Sequence, residues 1–167
     1  MAGHRIDTKR APRRTLAFTD VAALRTELDR IEASHRSGRL TTTGNWTPGE
    51  ILDHLATLWE FSLDGFPAHA RAPWAMRLVG PLLKPMFTRG KTAPAGIRLP
   101  EDAAYLLPAA GTPFDRGLAR LRRVLDRVDR GERCERASPM FGRTSHPEWM
   151  RLHFGHCQLH LGFLRPD

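Results

Sequence analysis

"SHPEWMRLHFGHCQLHLGFL", residues 145–164, is the stretch whose reading decides the fold. Ser145 with Glu148 three positions later forms a capping box, in which the two side chains satisfy free amides at a helix start. A helix then runs through the stretch and stops before Pro166. At about 100° per residue, Trp149, Leu152, His153, His156, His160 and Phe163 share one side. Arg151, Gly155, Gln158 and Gly162 fall on the other. Three histidines therefore occupy the face that carries the apolar residues, so the stretch predicts a packed helix with a polar feature inside it.

The same start signals recur upstream. Thr19 or Asp20 caps a helix whose stripe is Val21, Leu24, Leu28 and Ile31, ending at Ser37-Gly38. "TPGE" offers Thr47 as cap, Pro48 in the first position and Glu50 as the box partner. That helix continues through EILDHLATLWEFSL to the region of Gly65. "TPFD" repeats the pattern, with Thr112 as cap and a stripe of Phe114, Leu118, Leu121, Leu125 and Val128 that ends at Gly131. Residues 66–111 differ, because they hold seven prolines. They predict one or two short, proline-interrupted helices over APWAMRLVGPLLKPMF and an irregular remainder, wrapping one end or side of the domain. No stretch reads as a strand. The fold class is all-α: an antiparallel up-down four-helix bundle with a long Pro-rich connection between the second and third main helices. Residues 1–14 read as a disordered basic tail and residues 15–167 as a single domain.

Composition narrows the function classes. The chain has 167 residues, enough for a core without disulfide staples. It has no apolar run long enough to span a membrane. The basic N-terminus lacks the apolar segment of a signal peptide, and the residues after Arg13-Arg14 are too charged for a twin-arginine signal. The expected compartment is the cytoplasm, with Cys134 and Cys157 as reduced thiols. A net charge of +8 raises the question of nucleic acid. The cations are mostly arginine, spread along the chain and interleaved with Asp and Glu, which makes a nucleic-acid-binding domain the least favoured function class.

The histidines carry the sharper signal. Burying imidazole among hydrocarbon costs free energy unless its nitrogens find partners. Three on one stripe are harder to satisfy by backbone contacts than one. His156 and His160 are four apart, so their rings project from successive turns and suit one divalent ion. A third ligand then has to come from another helix. His54 lies beside the inward stripe of Ile51, Leu55, Leu58 and Ser62, with Asp53 and Glu60 pointing the other way. His4, His35, His69 and His146 read as surface residues. Cys157 reads as a small core residue, and Trp46 and Trp149 as core packing.

At these residues the chain resembles the DinB-like superfamily of metal-binding helical bundles, which includes bacillithiol-transferase-like proteins. It is most similar to a subgroup of short bacterial proteins without assigned activity. The resemblance runs from about Thr15 to Pro166. It rests on "GNWTPGEILDHLA", "DGFP", "GPLLK", "ASPMFGRTSHPEW" and "HFGHCQLHL". It implies a divalent metal held by His54, His156 and His160, with His153, one turn earlier, lining the cavity or standing in as a ligand. It also implies thiol-dependent transferase or isomerase chemistry on a low-molecular-weight thiol cosubstrate.

Three neutral imidazoles leave a position for water or substrate, as in catalytic rather than structural zinc sites. Imidazole suits Zn, Ni or Fe, so the metal stays open. The expected function is a metal-dependent enzyme, a thiol-dependent S-transferase or a hydrolase, and the alternative is a non-catalytic metal- or small-molecule-binding bundle. The expected partners are a small-molecule substrate and, as a homodimer, a second copy of the chain, with no membrane. Arg71, Arg77, Arg89, Lys91 and Arg98 are available to hold an anionic cosubstrate.

Overall fold

The computed structural model describes residues 6–70, 74–88, 96 and 101–167. The described chain is mostly helical: α1 Val21–Arg36, α2 Pro48–Asp64, α3 Trp74–Phe87, α4 Phe114–Asp129 and α5 His146–Leu161. A 3₁₀ turn spans Glu101–Leu106, and β1 Thr41–Thr42 pairs antiparallel with β2 Leu164–Arg165. The ribbon corrects the expectation of no strand. Two residues a side are too few to show any alternation in sequence. The pairing instead follows from the chain end running back beside the α1–α2 loop, where Thr43 N donates to Phe163 O at 3.0 Å.

Helix starts follow the capping grammar, with one exception. Asp20 accepts from Ala23 N at 2.8 Å. Thr47 and Glu50 complete a capping box at α2, and Glu148 Oε2 accepts from Ser145 N at 2.8 Å at α5. Thr112 does not cap α4. Its hydroxyl donates to Ala109 O at 2.7 Å, and Pro113 takes the cap position without a side-chain bond. The hydroxyl is drawn into the preceding turn, whose Gly111 N is held by Glu50 Oε1 at 2.8 Å.

The helix at the centre is α2, which packs against both α4 and α5, while α1 packs against α4. Nearly every residue from Ile51 to Leu63 is buried, so α2 has no single wet face. On the side away from its apolar stripe, Asp53 and Glu60 meet α4: Arg120 donates to Asp53 Oδ1 at 2.6 Å and to Glu60 Oε1 at 2.9 Å. Glycine permits this approach. A Cβ on Gly117 would stand 2.5 Å from Gly49 O, so only a bare backbone fits where α2 and α4 cross. The core between the helices holds Leu24, Leu28, Ile31, Leu52, Leu55, Trp59, Leu121 and Leu125.

Among its described residues the Pro-rich connection contributes one α-helix, α3, with Pro81 and Pro85 inside it, and the 3₁₀ turn Glu101–Leu106. Each proline removes one ladder bond. This helix lies on α5. Lys84 Nζ donates to Arg143 O at 2.6 Å and pairs with Glu148 Oε1 at 2.9 Å. The Lys84 ammonium and the Ser145 amide hold the Glu148 carboxyl down at about 2.

Helix α5 is covered more fully than its wheel implies, since Gly155, Gln158 and Gly162 are buried along with the apolar face. The cover at its C-terminal end is the N-terminal segment. Arg14 N donates to Gly162 O at 2.8 Å, and the Arg14 side chain reaches Leu164 O, Leu161 O and the Glu27 carboxylate. Earlier in that segment, Ile6 N donates to Asn45 Oδ1 at 2.8 Å.

A candidate metal centre of three histidines

The site is built from α2 and α5. The capped start of α2 sets its rotation so that His54, two turns in, faces α5 and is only 5 % exposed. The capped start of α5 does the same for His156 and His160, both half-buried. One potential ligand nitrogen from each of the three lies within 4.8 Å of the others. The ring centroids are 4.9, 4.7 and 4.6 Å apart, and the planes meet at 70°, 69° and 85°. The three rings are steeply inclined to one another, and a nitrogen of each falls in one small cluster.

The hydrogen bonds determine which nitrogen is free. His54 Nδ1 lies 2.6 Å from Leu106 O. A carbonyl oxygen can only accept, so Nδ1 carries the proton and donates. His54 Nε2 is left with its lone pair, aimed at His156 Nε2 3.1 Å away. A carbonyl acceptor behind an imidazole is the usual outer partner of a metal-bound histidine, fixing tautomer and ring orientation. Tetrahedral zinc, with Zn–N of about 2.0–2.1 Å, separates two ligand nitrogens by roughly 3.3 Å. The observed 3.1 Å is close to that.

The electrostatics favour neutral ligands. Burial pushes the His54, His156 and His160 imidazoles below their ordinary range. For His156 the charges of His160 and His54 add to the effect, and for His160 those of His54 and Arg13 do so. A neutral imidazole is the form that binds a metal.

Trp46 also belongs to the site. Its indole stacks on His160 at 5.4 Å and 15°, and lies 4.8 Å from the His54 ring at 56°. Read from sequence it was core packing. The signal that could have found it is its place one residue before the cap that sets the helix of His54.

His153 stands apart from the three. It is fully buried, sandwiched by Trp59 at 4.0 Å and Trp149 at 5.3 Å. Ser62 Oγ donates to Trp59 O at 2.7 Å and so accepts from His153 Nε2 at 2.8 Å. Burial holds this imidazole down at about 3, and its Nδ1 has no hydrogen-bond partner among the described residues. Both cysteines are buried; burial raises the Cys134 thiol and pushes Cys157 up to about 12, so neither supplies a thiolate. His35 stacks on Phe114, His146 Nδ1 accepts from Cys134 N, and His69 lies edge-on to Tyr105. His4, Arg71, Arg89, Lys91 and Arg98 lie outside the described residues, and Arg77 is described only as backbone within α3.

Several arginines on the helix surfaces are paired between helices. Arg25 bridges to Asp126 and Asp129, Arg122 to Asp29 and Glu32, and Arg127 to Asp64 and Glu132. Among the described residues no helix is long and apolar enough to cross a membrane.

No curated protein and no solved structure matches the chain. A family model does match, over residues 10–167, a span that holds every residue of the histidine cluster and the carbonyl behind it. The chain belongs to the family of proteins of unknown function DUF1569.

Proposed function

We propose that His54, His156 and His160 hold one divalent metal ion, and that the chain is a metal-dependent enzyme of the DinB-like type, a thiol-dependent S-transferase or a hydrolase. The observation that carries this reading is the His54 tautomer. A buried imidazole that gives its proton to Leu106 O and turns its lone pair toward two further imidazoles has the donor set of a metal site and little reason to exist otherwise. On this reading α1, α2, α4 and α5 form an antiparallel up-down bundle. Support comes from the packing of α2 on α4 and α5 and of α1 on α4.

The donor set fits the ion. Three neutral nitrogens suit Zn, Ni or Fe, and the cluster of candidate ligands includes no fourth protein donor among the described residues. Bound there, the ion would supply Lewis acidity to a thiol or water entering its open position. The chain's own residues do the rest. The Leu106 carbonyl orients His54, Trp46 packs flat on His160, and the apolar walls keep the imidazoles neutral.

The test is metal content. Protein purified without a polyhistidine tag is expected to hold about one equivalent of a divalent metal per chain. His156→Ala is expected to lose it while the far-UV circular dichroism of the helices persists. Wild-type protein that takes up no Zn, Ni, Co or Fe in equilibrium dialysis would overturn the reading. Turnover of a thiol substrate by the loaded protein, abolished by chelation, separates an enzyme from a passive binder.

A further inference from the structure

One cation stands beside the histidine cluster that the proposed metal site does not use. The Arg13 guanidinium lies over the Phe163 ring, 5.6 Å from its centroid. Phe163 is tied to the cluster: its amide donates to His160 O at 3.2 Å. The Phe163 ring rests on Gly44, where an added Cβ would be 3.4 Å away. Two residues on from Gly44, Trp46 stacks on His160. Arg13 on Phe163 and Trp46 on His160 therefore lie at the same end of α5, joined through the 44–46 segment.

Arg13 is presented by a pinned backbone. On one side Thr43 Oγ1 donates to Pro12 O at 2.7 Å, and on the other Arg14 N donates to Gly162 O at 2.8 Å. The neighbouring side chains are used differently. Arg14 is spent internally on Glu27 and two carbonyls, whereas Arg13 is exposed and has no carboxylate partner among the described residues. A guanidinium held in place by an aromatic face, with its donors unspent, is suited to receive an oxyanion bidentately.

We propose that Arg13 binds an oxyanion of the substrate. The metal centre then takes small molecules that carry a carboxylate, phosphate or sulfonate in the same molecule as the atom that meets the metal. This rests on the metal reading above, and the test separates the two. The full chain is loaded with Co(II) and titrated with mercaptoacetate and with 2-mercaptoethanol, following thiolate-to-cobalt absorption. Arg13→Ala is expected to weaken mercaptoacetate by about tenfold, the low end for a charge-assisted pair at an exposed site, and to leave 2-mercaptoethanol unchanged. Arg13→Lys is expected to recover part of the loss, and added salt to shrink it. If Arg13→Ala leaves the ratio of the two affinities unchanged, Arg13 is a solvated surface residue and the proposal fails while the metal site stands. Cobalt that binds but responds to neither thiol also overturns it. If cobalt does not bind at all, the metal reading falls and takes this one with it.

Discussion

His153 and His156 sit one turn apart on the same buried helix, yet they are in opposite situations. His153 is enclosed between two indoles and donates to Ser62. His156, with His160, meets a third imidazole whose own proton is already committed elsewhere. Residue type and helix are shared, so neither can be what separates a structural histidine from a proposed ligand. The difference is what α2 presents across the gap: Ser62 to one and His54 to the other, two turns apart on α2.

The comparison can be broken most decisively at His54. His54→Ala is expected to lower zinc or cobalt affinity by on the order of a hundredfold or more, read as metal retained after dialysis, with helical content unchanged. Full retention would mean that the partner across the gap does not define the site. His153→Ala is expected to do the reverse. It removes a buried ring between Trp59 and Trp149 and should cost about 2–4 kcal/mol in urea unfolding, with metal stoichiometry intact. Metal loss in that variant would erase the distinction between the two histidines.

Acid sharpens the contrast. The folded His153 imidazole is held at about 3 against an ordinary 6.5. Its folded value is depressed, so the unfolded chain takes the proton first. The stability tied to neutral His153 is fully present above pH 6.5 and is lost progressively as pH falls toward 3. Metal-free protein should show such a slope by chemical denaturation between those limits, with His54, His156 and His160 adding to it in the same direction, and His153→Phe should reduce it by the share of one histidine. An unchanged slope would place the proton uptake elsewhere. The smallest expected effect is at Trp46. Trp46→Phe keeps an aromatic face on His160 and should change metal affinity by only a few-fold, while removing most of the fluorescence quenching that Co(II) causes on binding. Quenching that persists in Trp46→Phe would mean that another tryptophan, and not Trp46, lies nearest the ion.

Much of this was legible in the residues themselves. The capping boxes at Thr47 and Ser145 mark where α2 and α5 begin, and those starts set the rotation that brings His54 opposite His156 and His160. A helical wheel, however, knows only its own helix. It assigned Gly155 and Gln158 to an outer face, but the N-terminal segment and α3 lie over α5 as well. It turned Asp53 away from the apolar stripe correctly but could not see that Arg120 waits there. Thr112 had the right residue type for a cap, and its hydroxyl was used by the turn before it. The role of Ser62 was invisible for the same reason, since a serine on an inward stripe has no meaning until His153 is placed opposite.

The acceptor that sets the His54 tautomer is the main-chain carbonyl of residue 106, not a side chain. Any amino acid at that position supplies the same oxygen, so substitutions there can drift without disturbing the imidazole. The proposed site therefore asks for three histidine side chains and for no particular side chain at residue 106. What the proposed site depends on instead is length: a deletion within 101–106 would withdraw the carbonyl, though all three histidines remained in place.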